Sequence, residues 1–412
     1  MSRKKNKVVQ LGHSKRDFIA LGAVTAVSVI AVAGAWAQSP IRQVEHQAAA
    51  EKFTAPAALS NVPDRLSEKV RYDDTSAPGV HQPLVVGGVI ATSDGHGVVG
   101  HSPDGTELWK YSRDKEICSL AQAWNHVVVT YRNGAGCGDV VSLNAANGSY
   151  AATRSAINDD NVVPVSSNDR VGTVGPTRTE LWRNDMVRTV EYGHVEDPQE
   201  PNMQPHGNCD ITSAMTRTEL FAVTEVCPDD KNITLLHFQK TTPSDNRKPE
   251  LSHDVKLPSP DARVVSIGQK SAAVYLPGQQ AAILSLDSEG KETGRHLIDP
   301  APAYQGVPGP VAPNSADLPH HMTWFDGKKL YLLAPENMTV KQEFADAIGT
   351  GTAVGDRLVY PTKQGLAVAN WDTGQVERVI PVDRGGYNGD VNVTTAGALL
   401  VEKRGSTVVG LG

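Results

Sequence analysis

The sequence predicts an all-β protein, a β-propeller of eight repeated units behind one N-terminal apolar helix. From about residue 68 onward, short Val/Leu/Thr runs alternate with Gly, Asn and Asp, which is typical of many short strands and tight turns. These runs recur as a strand, a turn opened by Asn or Asp and closed by Gly, and a second strand. Residues 18–37, by contrast, contain no charged residue and follow a basic tail.

The apolar stretch predicts a transmembrane helix over residues 18–37. At about 1.5 Å per residue, twenty residues span about 30 Å, the thickness of a bilayer core. Residues 1–17 hold six Lys or Arg and one acid, so we expect them to be a cytoplasmic tail, with everything after Ala37 outside the cytoplasm. A removed signal peptide is the alternative, because Ala35-Trp36-Ala37 has the form of a cleavage site.

Residues 38–66 are rich in Ala, Pro and Gln, and they predict a tether between the membrane and an extracytoplasmic propeller at 67–412. The formal net charge is −7; residues 1–17 contribute +5, so the remainder carries −12. Because phosphate binding requires a basic face, this acidic body argues against nucleic acid as a partner.

Cysteine usage fits an oxidising compartment. The four Cys allow three pairings, and spacing alone does not choose among them. Each close pair brackets a turn-rich segment, so two local disulfides, Cys118–Cys137 and Cys209–Cys227, are the economical interpretation. Four free buried thiols are the alternative.

The strand–turn–strand pattern is clearest at four places in the chain: 98–109, 140–148, 283–290 and 366–374. Asn or Asp caps each turn and Gly supplies the positive φ that a hairpin needs. Units of four strands start near eight positions: Val80, Lys115, Asn158, His206, Ser259, Asp317, Gly349 and Tyr387.

The last unit has only three strands before Gly412, so we expect the segment 68–72 to supply the fourth and close the ring. Seven units is the alternative count, because 300–350 is irregular, and a pair of β-sandwiches is the alternative fold. Val340 to Ala347 is the best candidate for a short helix.

The repeats resemble those of propellers with pyrroloquinoline-quinone-type repeats, over roughly residues 80–412. Trp109 and Trp182, each ending a Thr-Glu-Leu-Trp sequence, stand at the tryptophan position of the repeat. The resemblance implies an axial Ca²⁺ and quinone, but the chain lacks the adjacent Cys-Cys pair, and Asp159-Asp160 and Asp229-Asp230 fall at turns. We therefore predict no catalytic residue, no metal and no cofactor, and keep a quinone-dependent dehydrogenase as a second alternative.

Two long Pro-rich connections, 193–207 and 299–319, stand out instead. Loops of this length are usually functional or disordered. They and their exits carry flexible Met and aromatic side chains that suit an apolar or sugar-lipid ligand. The candidate ligand-binding residues are Met203, His206, Tyr304, His320, His321, Met322 and Trp324.

The whole layout, a basic tail, one span, an Ala/Pro tether and an acidic propeller with two Cys pairs, resembles the PgfA-like group of membrane-anchored envelope proteins of mycolate-containing actinobacteria. That resemblance implies a non-enzymatic factor at the outer face of the cytoplasmic membrane, in the periplasm. Its ligand or partner would be a mycolate glycolipid, such as trehalose monomycolate, or a lipid transporter. A protein-interaction scaffold for envelope assembly is the alternative.

Overall fold

The structure, a computed structural model, describes residues 14–412 in two units that divide after Glu45. The first contains helix α1 (Lys15–Ala37) and a 3₁₀ turn at Pro40–Gln43. Ser14 and Asp17 form a reciprocal capping box at the start of α1. The helix is long and apolar enough to cross a membrane, with a mean hydropathy of 2.3. Of the predicted tail, residues 1–13 lie outside the described residues, and residues 15–17 belong to the helix.

The second unit, His46–Gly412, is an eight-bladed β-propeller, which confirms the predicted fold and excludes the seven-unit count. Blades 1 to 8 are numbered by their inner strands, which are β3 (Leu84–Val86), β7 (Ile117–Ala123), β11 (Val163–Ser166), β15 (Asp210–Arg217), β19 (Arg263–Ile267), β23 (Ser315–Asp317), β27 (Thr352–Val354) and β31 (Val391–Ala396). The second strands are β4 (Val89–Ser93), β8 (His126–Asn133), β12 (Val171–Val174), β16 (Leu220–Val226), β20 (Ser271–Leu276), β24 (Met322–Phe325), β28 (Arg357–Thr362) and β32 (Leu399–Arg404).

The third strands are β5 (Gly97–His101), β9 (Gly136–Asn144), β13 (Arg178–Trp182), β17 (Thr234–Lys240), β21 (Ala282–Asp287), β25 (Leu330–Leu333), β29 (Gly365–Asn370) and β33 (Thr407–Leu411). The outer strands are β6 (Glu107–Ser112), β10 (Tyr150–Ser155), β14 (Arg188–Gly193), β18 (Leu251–Leu257), β22 (Glu292–Leu297), β26 (Val340–Phe344), β30 (Val376–Pro381) and, for blade 8, β2 (Glu68–Asp73). β1 (Glu45–Gln47) is a fifth strand in the sheet of blade 1.

The burial of each strand follows its place in the blade. All residues of the inner strand β19 and of the second strand β20 are buried, because neighbouring blades cover both faces of the sheet near the axis. Along β10 and β22, exposed and half-buried residues alternate from the third position onward, because only one face of an outer strand is packed.

The tryptophans of the repeat lie in the core. Trp109 is 1% exposed, and its Nε1 donates to the Ala145 carbonyl of blade 2 at 2.7 Å. A Cβ on Gly148 would lie 2.6 Å from the indole, so only glycine permits this approach. Trp109 therefore fastens blade 1 to blade 2.

The ring is closed by pairing the N-terminal β2 with the C-terminal β33, antiparallel, with Val70 opposite Gly410. Backbone bonds between Ser67 and Gly412, at 3.0 and 3.1 Å, extend the pairing. The segment 68–72, expected to complete the last unit, lies within β2.

One expectation about local structure is wrong. The helix candidate at Val340 to Ala347 is mostly the outer strand β26, in which half-buried and exposed residues alternate up to the buried Phe344. The segment 38–66, predicted to be a tether, contacts the ring in part: the amide of Ala49 donates to the Asn147 carbonyl at 2.9 Å and that of Leu59 to the Gly397 carbonyl at 3.2 Å. Much of this segment is thus a strap bound along the ring.

Both predicted disulfides are present. Cys118–Cys137 joins the inner strand β7 to the third strand β9 of blade 2. Cys209–Cys227 joins the residue before β15 to the residue after β16 in blade 4. Each bond therefore fastens strands within a single blade.

Candidate ligand-binding site

A cavity of about 880 Å³ lies on the axis of the ring, and each of the eight inner strands contributes to its lining. Its rim includes the turns that follow several inner strands, such as Trp124–Asn125 after β7 and Ser167–Asn168 after β11. The cavity therefore opens on the face of the ring where the inner strands end.

The opposite end of the cavity is closed by the segment 79–83, which we call the axial plug. A Cβ on Gly79 would lie 3.0 Å from Val163 Cβ in blade 3, while Gln82 Nε2 donates to Thr350 Oγ1 at the start of blade 7. Blades 3 and 7 are opposite one another in a ring of eight, so a segment that contacts both lies across the axis. The cavity is consequently a blind pocket.

Hydrogen bonds hold the plug in place. The amide and the hydroxyl of Thr350 both donate to Asn392 Oδ1 at 2.9 Å, and Asn392 Nδ2 donates to the carbonyl of His81 at 2.9 Å. Thr350 and Asn392 are buried, as is Asn314, whose Oδ1 lies 3.5 Å from Gln82 Nε2. The plug is therefore held by polar side chains from three places: the connections that precede blades 6 and 7, and the inner strand of blade 8.

A second segment supports the plug from the long connection between blades 5 and 6. The carbonyl of Ala312 lies 3.0 Å from His81 Nε2, and the amide of Val311 donates to the Thr212 carbonyl of blade 4 at 3.0 Å. Residues 311–312 of this long Pro-rich connection thus help to close the end of the cavity where the inner strands begin, whereas Leu318 and Pro319, which follow β23, line it where the inner strands end. Burial lowers the pKa of His81 below its ordinary value of 6.5 and keeps the ring neutral.

The lining is almost free of charge. Hydroxyl and amide side chains are distributed around it: Gln122, Asn125, Ser166, Asn168, Thr216 and Thr394. Apart from His81, its ionisable residues are Arg217 and Asp317, which pair with each other at 2.7 Å. The cavity therefore presents neutral donors and acceptors to a ligand.

Trp124 occupies an unusual position at the mouth. Trp124 and Asn125 form a two-residue hairpin turn with φ of 52° and 60°. Such turns prefer Asn or Gly, and positive φ is strained for a bulky side chain. Trp124 is half-buried, packs against the core of blades 2 and 3, and lines the cavity. Strained residues of this kind cluster at ligand sites.

The lining does not fit the calcium and quinone of quinoprotein dehydrogenases. Ca²⁺ takes six to eight oxygen ligands, commonly several carboxylates. The cavity offers one carboxylate, that of Asp317, and Arg217 already pairs with it. In residues 14–412 no free cysteine is present, and neither disulfide joins adjacent residues.

The candidate ligand-binding residues chosen from the sequence do not lie together in the structure. Met322 is buried, lines the cavity and places its Sδ 3.1 Å from Arg217 Nη1. Trp324 and Tyr304 are buried in the core between blades 5 and 6, where Trp324 Nε1 donates to the Tyr304 hydroxyl at 3.0 Å. Only Met322 of these three contributes to the cavity.

The other candidates lie elsewhere. His320 is exposed and His321 is buried, and both rings lie beside Trp371, at 5.8 and 5.3 Å between centroids. Met203 is buried in the connection before β15, and His206 lies at the end of the same connection, beside a second histidine, His237, at 4.5 Å between ring centroids.

Sequence reasoning missed the plug and Trp124. The sequence does carry a signal for Trp124, because Trp124 and Asn125 are the two residues between the strand-forming runs 117–123 and 126–133. A two-residue turn at this point places Trp124 at the end of an inner strand. No local pattern identifies residues 79–83 as a plug, because their partners lie in blades far away in the sequence.

Comparisons with known proteins reveal similarity in structure. No protein-family model matches this sequence, and no curated protein matches it significantly. Among solved structures, the quinohemoprotein alcohol dehydrogenase ADHIIG from Pseudomonas putida HK5 is similar over 87% of this chain and 78% of its own, with 12% identity and a TM-score of 0.55.

A europium-containing methanol dehydrogenase is similar over 86% of this chain and 89% of its own, with 13% identity and a TM-score of 0.50. BamB from Moraxella catarrhalis matches 84% of this chain and 99% of its own, with 10% identity and a TM-score of 0.48. At such low identities the likeness is one of fold and does not transfer an activity. This chain is thus similar in fold to the β-propellers of quinoprotein dehydrogenases.

Proposed function

We propose that this protein is a non-enzymatic, membrane-anchored factor of the cell envelope whose blind axial cavity binds the neutral sugar headgroup of a glycolipid. The observation that carries the proposal is this cavity, closed at one end, in which uncharged hydroxyl and amide side chains stand among apolar ones. Its volume of about 880 Å³ falls within the range of small-molecule sites.

The chemistry of the lining supports a sugar rather than an ionic ligand. Sugar hydroxyls are donors and acceptors without charge, and they are matched by groups such as Gln122, Ser166 and Thr394. A charged ligand would find only the Arg217–Asp317 pair, which is already neutralised. Trp124 at the mouth offers a flat apolar surface of the kind that packs against a sugar ring.

The anchor and the disulfides support an extracytoplasmic site. Helix α1 is long and apolar enough to hold the chain in the cytoplasmic membrane. Cys118–Cys137 and Cys209–Cys227 belong in an oxidising environment, such as the periplasm. We therefore expect the propeller to function outside the cytoplasm.

The resemblance to PgfA-like envelope proteins supports a mycolate glycolipid, such as trehalose monomycolate, as the ligand. A propeller that binds only the headgroup leaves the acyl chains outside the cavity. We therefore expect a lipid transporter of the membrane as the partner that supplies or accepts the glycolipid.

The proposal is tested by calorimetric titration of the detergent-solubilised full-length protein with trehalose and with trehalose monomycolate. Trp124→Ala removes the aromatic surface at the mouth, and we expect it to weaken binding about tenfold, by loss of an aromatic contact of about 1 kcal/mol or more. Tyr387→Ala is the matched control, since Tyr387 is a half-buried aromatic outside the cavity lining. Absence of binding by the wild type, or equal effects of the two variants, would contradict the proposal.

A further inference from the structure

Blade 4 contains a cluster of two histidines and two carboxylates, away from the axial cavity. Glu225, His237 and Asp254 lie on the adjacent strands β16, β17 and β18, and His237 is directly opposite Asp254 in the strand register. His206 comes from the connection before β15. One ligand atom from each of His206, His237 and Asp254 lies within 4.8 Å of those of the other two.

Glu225 lies behind both histidine rings. Its Oε1 is 2.7 Å from His237 Nε2 and 3.3 Å from His206 Nδ1, and its Oε2 accepts from the Tyr192 hydroxyl at 2.9 Å. A carboxylate on one ring nitrogen fixes the tautomer, because that nitrogen carries the proton. Ligating histidines in metal sites are oriented by a carboxylate in this way.

With the His237 Nε2 proton directed at Glu225, Nδ1 is the nitrogen of this ring that faces Asp254. Asp254 Oδ1 lies 2.7 Å from His237 Nδ1. A neutral imidazole carries one N–H, so His237 donates to both carboxylates only when its ring carries a second proton. A divalent cation bound by His237 Nδ1 and Asp254 would take the place of that second proton, since metal binding to a histidine releases the proton of the ligating nitrogen.

Access to this space is asymmetric. The side chains of Glu225 and His237 are 0% exposed, whereas those of His206 and Asp254 are 21% and 49% exposed. A metal ion could therefore enter from solvent and keep water as a further ligand. The bond between Cys209 and Cys227 keeps both sulfurs from acting as thiolate ligands, and it joins the segments that carry His206 and Glu225.

We propose that His206, His237 and Asp254 bind one Zn²⁺ ion, with Glu225 as the positioning residue behind the two histidine rings. Two imidazoles and one carboxylate, with an open position for water, form a known ligand set for this metal. The site is independent of the proposed glycolipid cavity, since none of these residues lines it.

The proposal is tested by treating the full-length protein with a chelator, leaving the disulfides intact, and titrating it with Zn²⁺ in competition with a chromophoric chelator. We expect one ion per chain. His206→Gln and Asp254→Asn each remove one ligand from a partly exposed position, and each should lower the affinity at least about tenfold. His96→Gln, an exposed histidine in the turn between β4 and β5, is the matched control and should leave the affinity unchanged.

X-ray absorption of the zinc-loaded wild type gives a second readout that does not depend on the variants. The expected first shell contains nitrogen and oxygen at about 2.0–2.2 Å, with imidazole scattering and no sulfur at about 2.3 Å. Failure to bind one equivalent, an affinity that neither variant changes, or a shell containing sulfur would each overturn the proposal. Circular dichroism of both variants verifies that they remain folded.

Discussion

Asp159 and Asp160 show how neighbouring residues of the same type take different roles. The Asp159 carboxylate accepts from the Thr177 amide at 2.9 Å, the Thr177 hydroxyl at 2.7 Å and the Arg178 amide at 3.0 Å. The Asp160 side chain is 78% exposed. Both residues fall at a turn in the sequence pattern, yet only the Asp160 side chain is largely exposed to solvent. The partners of Asp159 are eighteen residues or more away, so no local pattern reveals them.

We expect Asp159→Ala to lower the free energy of unfolding by about 2–3 kcal/mol, because it leaves two backbone amides and a hydroxyl without their acceptor. Asp160→Ala is the matched control and should change it by less than about 0.5 kcal/mol, as is usual for surface substitutions. Urea unfolding followed by tryptophan fluorescence measures both. Equal effects would show that Asp159 does not hold the turn.

Among the elements, the axial plug determines the shape of the candidate site. Its residues form no strand, and they are held by side chains from blades 7 and 8 and from the connection to blade 6. If these bonds are what close the cavity, weakening one of them should loosen the plug before it unfolds the ring.

Thr350→Val keeps the shape of the side chain and removes the hydroxyl that bonds to Gln82 and Asn392. We expect a local loss of about 1–3 kcal/mol, because buried partners remain unsatisfied. Hydrogen–deuterium exchange should accelerate in peptides covering 79–83 and change little in the outer strands. Thr153→Val, at an exposed position on β10, serves as the control. Unchanged exchange at 79–83 in Thr350→Val would contradict the assignment of the plug.

The plug should also respond to pH through His81. Burial lowers the pKa of His81 below 6.5, so the unfolded chain binds a proton at a pH where the folded protein does not. This histidine therefore makes stability fall as the pH drops below about 6.5. His81→Gln lacks the titrating group, so the difference in unfolding free energy between wild type and variant should decrease from pH 7.5 to pH 5. A difference independent of pH would show that His81 does not titrate differently on folding.

The elements could be predicted to different extents. Strand-rich repeats and Asn/Asp–Gly turns are local signals, and they were sufficient for the eight-bladed ring. The helix prediction for Val340 to Ala347 is wrong because pairing with β25, a contact that no local pattern reveals, makes most of this segment a strand. Of the seven candidate ligand residues, only Met322 lines the cavity. Which residues converge on the axis depends on contacts between blades, and these contacts leave no local signal in the sequence.

At the scale of the whole molecule, two features restrain the ring: its closure by β2 and β33, and the disulfides in blades 2 and 4. The closing strand comes from residues far from its partner in the sequence, so the ring has no open edge at its junction. The disulfides instead restrain single blades.

The Cys pairs are separated by 19 and 18 residues. Loop closure of this length stabilises the folded state by about 3 kcal/mol per bond, because it restricts the unfolded chain. We expect Cys118→Ser with Cys137→Ser to lower the free energy of unfolding by about that amount, measured under non-reducing conditions. Wild type unfolded in the presence of dithiothreitol should lose more, since both bonds are then open. Stability unaffected by either treatment would contradict this role.

The central claim is that the blind axial cavity holds a glycolipid headgroup. Native mass spectrometry of the full-length protein, purified from its own membrane in mild detergent and combined with lipid analysis, tests it most directly. We predict one bound sugar-containing lipid per chain, displaced by excess trehalose and largely lost in Trp124→Ala. A protein that carries no lipid, or a bound lipid that is insensitive to both trehalose and Trp124→Ala, would contradict the account.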